Sequence, residues 1–247
     1  MANLYSIFRK ELRSYFTSPI AYVIISIFLV LSGYFFYTNL IYFVLWGGAD
    51  VTAGLWQFLF HDMRLFLLLM VPLITMRLFA EEKKLGTIEL IATYPIRDIE
   101  ILFGKFLACL AMLVLMLALA FLYPALLYPI HSFNIAPVLA GYLGLFLLGC
   151  AFISCGMLVS SLTENQIVSA MVTFGLLLLF WFVSWNEAAA SPMVSQILLR
   201  VSLFDRFYHF ARGVIDTKDL VFYFLFTGFF LFLTLRSLES RRWRGLR

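Results

Sequence analysis

RLFAEEKKLGTIELIATYPIRD, residues 77–98, is one of the few places where charges crowd together in this chain, and long apolar runs flank it on both sides. Leu85, Ile88 and Ile91 recur at helical spacing, whereas Glu81, Glu82, Lys83, Lys84 and Glu89 favour water. Pro95 ends the pattern and disfavours a helical conformation at Tyr94. Periodicity alone allows two readings: a short amphipathic helix lying flat at a membrane surface between two spans, or a solvated loop with a passing helical turn.

The bulk of the chain sets the context for that choice. Of its 247 residues, 63% are apolar and 13% charged, with a mean hydropathy of +0.96. A soluble domain is about half apolar and about a quarter charged. One globular core of this length cannot hide the excess, so lipid must be the solvent for much of it. Continuous apolar runs of about 20 residues point to helices, since barrel strands alternate every second residue. The expected class is an all-α, polytopic membrane protein.

The formal net charge is +4, and its basic residues form no stripe interleaved with aromatics, which speaks against nucleic acid as a partner. Cys109, Cys150 and Cys155 all lie inside apolar runs and read as small buried side chains. No cleavable signal peptide is expected: the first apolar run, from about Ile20, is too long and lacks a small-residue cleavage site.

Residues 3–17 place Leu4, Phe8, Leu12 and Phe16 on one face and Arg9, Lys10, Glu11 and Arg13 towards the other. This suits a helix in the membrane interface with its basic groups among anionic headgroups; a cytosolic helix packed on another subunit is the alternative. Six spans are expected, over about Ile20–Trp46, Leu55–Leu78, Ile99–Tyr123, Ala136–Leu162, Ile167–Trp185 and Leu220–Leu235. Asp62 and Arg64, early in the second span, are expected to snorkel to the outer interface. In the fourth, Gly149, Gly156 and Ser160 share a face that permits close helix approach. Residues 192–212 read as an outer amphipathic helix, or as two broken near Ser202–Asp205. It would be started by Ser191-Pro192 and stopped by Gly213, with its apolar face carrying Phe204, Tyr208 and Ala211. Asp216 or Thr217 then caps the last span, and the tail from Arg236 is basic.

Six spans put both termini on one side. Of the 18 Lys and Arg, thirteen fall on that side and five on the other, so the positive-inside rule places the termini and residues 77–98 in the cytosol.

The chain carries no G-x-x-x-x-G-K-[ST], H-E-x-x-H, C-x-x-C or G-x-S-x-G. Gly104-Lys105 lacks the partner glycine five positions earlier, and His61, His131 and His209 are scattered. Neither a catalytic nor a cofactor or metal site is expected. Mid-span positions nearly bare of charge argue against intramembrane catalysis and against an ion-coupled transporter. If the protein moves something, its energy comes from outside the chain, and residues 77–98 are the natural place to receive it.

Residues 76–97 (MRLFAEEKKLGTIELIATYPIR), followed by Gly104-Lys105-Phe106, resemble the cytosolic loop of ABC-2 type permeases, most closely the gliding-motility type. Residues 8–22 (FRKELRSYFTSPIAY) look like that family's first helix, and residues 207–216 (FYHFARGVID) like its outer segment before the last span. The resemblance implies a single transmembrane permease domain over residues 1–247, multi-pass in the bacterial cytoplasmic (inner) membrane. It implies a second permease copy or a homologous permease, and two P-loop ATP-binding subunits that carry the ATP and Mg while this chain binds no cofactor. A periplasmic or membrane accessory protein is a further partner, alongside membrane lipid. Residues 80–94 would be the coupling helix docking on the ATPase through Glu81, Glu82, Lys84, Leu85, Gly86, Thr87, Ile88, Glu89 and Leu90. Residues 3–17, with Phe8, Arg9, Lys10, Glu11, Leu12 and Arg13, would be the interfacial helix. Charge reversal at Glu81 and Glu82 together is expected to uncouple the ATPase and leave the permease folded. The rival reading is a mechanochemical subunit that passes ATPase motion to a periplasmic partner without moving a substrate.

Overall fold

A computed structural model describes residues 2–46, 51–86, 97–185 and 202–244. Among them the chain forms ten helices and no strand: α1 (Ala2–Thr17), α2 (Pro19–Trp46), α3 (Val51–Thr75), α4 (Arg77–Lys84), α5 (Asp98–Ala120), α6 (Leu122–Leu127), α7 (Ile135–Leu162), α8 (Gln166–Trp185), α9 (Leu203–Ala211) and α10 (Thr217–Arg244). Five stretches are long and apolar enough to cross a membrane: Pro19–Leu45, Gly54–Lys84, Asp98–Leu127, Ile135–Leu162 and Thr217–Ser240. The expected fifth span coincides with α8, whose apolar part, Gln166–Phe182, is shorter.

The bundle is built around α7. A helix that is apolar on every side has no face to give to water, and α7 buries residues all round, from Val138 through Leu145, Leu148, Phe152 and Cys155 to Val159. It packs against α3, α5, α8, α9 and α10. Close approach requires small residues where backbones meet. Gly149 lies against Leu113 of α5 and Gly156 against Thr75 of α3, so the small-residue face read from the sequence serves two neighbours. By contrast, α2 and α10 leave one side exposed, with Val30, Val44 and Leu45 on α2 and Phe224, Leu225 and Phe229 on α10.

The second span does not stop at Leu78. Pro72 has no N–H to give its helix, but Thr75 Oγ1 donates to the Val71 carbonyl at 2.9 Å and Met76 N–H reaches the Pro72 carbonyl at 3.0 Å. The helix therefore breaks only at Met76 and resumes as α4. It ends where Gly86 adopts a left-handed φ of 69°, with Leu85 N–H donating to Glu81 O and Gly86 N–H to Lys83 O, a glycine stop of the ordinary kind. Of the helix expected over 80–94, residues 80–84 lie in α4, which begins earlier as an extension of α3; residues 87–94 lie outside the described residues.

At the other end of the bundle, Ser202 caps α9, accepting from Asp205 N–H at 3.1 Å. Of the outer helix expected over 192–212, α9 is the described part; residues 192–201 lie outside the described residues. Gly213, with φ 82°, ends the segment, and Asp216 caps α10 through Lys218 N–H at 3.0 Å. The inward face of α9 is Leu203, Phe204, Phe207, Phe210 and Ala211, whereas Tyr208 is exposed. The basic tail continues α10 as helix to Arg244.

A Cβ at position 156 would collide with the Thr75 side chain. Gly156→Val should destabilise the bundle by about 1–3 kcal/mol, read as a lowered midpoint of thermal unfolding in detergent. A midpoint equal to wild type would mean that α3 and α7 do not meet there.

Candidate functional site

The residues singled out in the sequence converge on one end of the bundle, where α1, α4 and the start of α5 meet. The helix expected at residues 3–17 is α1, and it has three sides. Leu4, Ile7, Glu11 and Tyr15 recur at helical spacing, and this face turns to α5, which gives up a side chain at Gly104: a Cβ there would press on Ile7 and lie 3.3 Å from the Leu4 carbonyl. Phe8, Leu12 and Phe16 are half-buried, and Arg9, Lys10 and Arg13 are exposed. Asn3 donates to Glu100 at 3.4 Å. Tyr15 OH donates to the Ile74 carbonyl at 2.9 Å and touches Cys109 Sγ at 3.2 Å. Burial, then the neighbouring Cys109, holds the Tyr15 phenol well above its usual range, so it stays a neutral donor.

Next to Gly104 stands Lys105, its side chain 2% exposed. Its ammonium lies 2.9 Å from Glu11 Oε1, 3.0 Å from Glu82 Oε1 and 2.7 Å from the Leu78 carbonyl, with the Phe79 ring 5.3 Å away. Lys10 adds a second cation 3.3 Å from Glu82. Lys105 and its two carboxylates thus pair in a space largely closed to water, the condition for charges to be buried at all, with the exposed Lys10 balancing the second carboxylate from outside. Glu82 was expected to favour water, but its side chain is only 13% exposed.

Lys83 corrects the same expectation more sharply. It is buried, and its ammonium donates to the carbonyls of Ser161 and, at 3.2 Å, Thr163, at the end of α7. Ser160 Oγ accepts from the N–H groups of Phe79 and Ala80, at 3.1 and 3.2 Å, and donates to the Met76 carbonyl. Arg77 forks onto Glu81, at 2.8 and 3.3 Å, and reaches Ser18 Oγ at 3.0 Å. Of the residues expected to dock a partner, Lys84, Leu85 and Gly86 are exposed, with Leu85 at 66%, whereas Glu81 and Glu82 face the bundle's own ion pairs. Thr87, Ile88, Glu89 and Leu90 lie outside the described residues.

The far end holds a separate set of charges. Asp62 accepts from Asn39 at 2.8 Å, and the Arg64 guanidinium lies over the rings of Phe204 and Phe207, at 5.3 and 5.9 Å. Both expected snorkelling residues thus meet protein partners there. Asp219, almost fully buried, is held by Arg206 and His209, each at 2.8 Å. No group of three or more His, Cys, Asp or Glu able to hold a metal exists among the described residues.

A family model described as ABC-2 family transporter protein matches residues 5–235, nearly the whole chain. The chain belongs to the ABC-2 transporter family. A search of curated proteins finds no match. An ABC-2 transporter chain is a component of a membrane transport system, which accords with five apolar helices long enough to span. In this ABC-2 chain what sequence reasoning missed is the pairing of Lys105 with Glu11. By sequence Lys105 reads as a basic residue near a span end and within the Gly104-Lys105-Phe106 resemblance, and Glu11 as part of the interfacial helix, yet a lysine seven residues into an apolar run calls for a partner.

Removing one partner from such a cluster costs far more than removing all of it. Lys105→Met leaves Glu11 and Glu82 facing each other and should destabilise the protein by about 3–5 kcal/mol. The triple variant Lys105→Met, Glu11→Gln, Glu82→Gln should recover most of that loss in thermal melts. Equal loss in both would show that the charges are not mutually compensating.

Proposed function

We propose that this chain is the permease subunit of a bacterial ATP-driven ABC-2 exporter, nearest in kind to the gliding-motility type. It pairs with a second permease and with two separate P-loop ATP-binding subunits, which carry the ATP and Mg. In this reading α8 is the fifth of six spans, so that both termini, α1 and the α4 tip lie in the cytosol, and the membrane is the cytoplasmic (inner) one. Lipid surrounds the bundle and α1 rests in the interface with Arg9 and Arg13 towards headgroups. An accessory protein, where one assembles, meets the far end near α9.

The observation that supports this reading best is the division within α4. Its root is fixed by Glu82, Lys83, Arg77 and the amides of Phe79 and Ala80, while its tip presents Lys84, Leu85 and Gly86 to solvent. A large apolar side chain held out beside a cation on a rigid post suits docking into a cleft of a partner. The continuation through Thr87, Ile88, Glu89 and Leu90 would complete the docking surface. Glu81 and Glu82 contribute to it by holding the post rather than by touching the ATPase. Reversing them together would therefore strike the fold as well as the coupling, and a clean test has to fall on the tip.

Lys84→Glu combined with Leu85→Asp should leave the melting temperature of the permease within the small range of surface substitutions, about 0.5 kcal/mol either way. The same variant should sharply reduce both recovery of the ATP-binding subunit on a tagged permease and stimulation of ATP hydrolysis in proteoliposomes. Undiminished recovery and stimulation would overturn docking at this tip.

A further inference from the structure

α4 and α7 cap each other. Met76, at the N-cap of α4, offers no capping side chain, and the first turn of any helix leaves N–H groups without intrahelical partners. The acceptor comes from another helix: Ser160 of α7 takes the N–H groups of Phe79 and Ala80, at 3.1 and 3.2 Å, and returns a hydrogen bond to Met76 O at 3.2 Å. The converse holds at the end of α7, where the last carbonyls are likewise without helical donors and carry the negative end of the helix dipole. There the buried Lys83 ammonium of α4 donates to Ser161 O and Thr163 O. Gly156 lets α3 lie directly against α7 one turn before this junction, and Ser161 Oγ passes on to Ser237 of α10 at 3.0 Å.

We propose that Lys83 and Ser160 are positioning residues that fuse α4 to the end of α7, so that work entering at the α4 tip is delivered to the central helix. This rests on the permease reading above and specifies which helix takes the stroke. The bonds to α1, Ser18 and α5 run between side chains at both ends, except that Lys105 also reaches the Leu78 carbonyl, and none engages backbone on the partner helix. Such links relax by rotamer changes. The junction with α7 engages backbone of both helices, through one short hydroxyl and one buried cation, and so transmits displacement with little slack. α3, α4 and α7 then move as one body, and the relative motion appears between α7 and the half-exposed α2.

The test uses the complete transporter, recovered from membranes of the source cells on a tagged permease. Spin labels go on cysteines introduced at Leu139, exposed at the far end of α7, and Val44, exposed at the far end of α2; the native cysteines are buried. Distances are compared without nucleotide and with Mg·ATP and vanadate. In the otherwise unaltered chain the 44–139 distance should shift on trapping. Lys83→Met with Ser160→Ala should keep the ATP-binding subunit bound and hydrolysing while the shift is lost, and Lys83→Arg, which keeps the cation, should restore much of it. Should Lys83→Met fail to assemble, Ser160→Ala alone decides, with a diminished shift expected. A full shift in a variant that still binds the ATPase overturns the proposal, as does an absent shift in the unaltered complex. If no ATP-binding subunit is recovered with the unaltered chain, it is the permease reading that fails.

Discussion

A lysine ammonium placed in a membrane protein's interior has to be matched where it stands, because it cannot be neutralised cheaply or left alone. Lys105 is that group here. Matching it fixes three things at once: Glu11 must be presented by α1, Glu82 by α4, and the Leu78 carbonyl by the end of the second span. The glycine before it, Gly104, allows α1 to come close enough for Glu11 to reach. The position of the first helix and the direction in which α4 leaves the bundle are therefore two consequences of one buried charge. Apolar packing alone would tolerate many rotations of α1 about its own axis; the ion cluster admits one.

The same comparison shows what could and could not be read beforehand. The long apolar runs announced the spans, since nothing but lipid or a central position accommodates them, and α2, α7 and α8 begin and end within a residue or two of their expected limits. Gly213 and Asp216 act where turn chemistry placed them. The site was less legible. Glu82 and Lys83 are adjacent, and neighbouring positions on a helix point about 100° apart. One meets α5 while the other meets α7, although both had been assigned to water as a charged block. Gly86 sat inside the Leu85–Ile88–Ile91 rhythm and was passed over, though a glycine near the end of a helical pattern is also a stop signal. Tyr208 was set on the buried face of α9 by a four-residue spacing, and Phe207 and Phe210 occupy that face instead.

The two ends of the bundle are secured in different ways. The far end relies on Asp219 gripped by Arg206 and His209, on aromatic contacts around Arg64, and on Tyr223 OH donating to the Leu203 carbonyl at 2.7 Å, which fasten α9 to α3 and α10. At the end bearing α4 two helices engage each other's backbone, with Ser160 and Lys83 supplying what α4 and α7 lack at their termini. Between the ends, contacts are mostly apolar and close-packed, as with Leu113 against Gly149. Dispersion forces fix distance better than direction. Reciprocal bonding between helix termini thus sits where α4 is rooted.

On the docking reading, recognition and folding would be separated along a very short piece of chain. Within α4 and the two residues after it, the groups with partners in the bundle, Arg77, Glu81, Glu82 and Lys83, alternate with none that a second protein needs, and the three that follow, Lys84, Leu85 and Gly86, are exposed. Gly86 turns the chain out of the helix immediately after the last rooted residue. A partner's cleft can then vary its fit to the tip without disturbing the ion pairs beneath, and the root can bear load without being part of the contact. A single amphipathic helix lying flat would not have this property, because its one polar face would have to serve both the bundle and the partner. On the docking reading, the end of the helix before Gly86 would make room for the two roles.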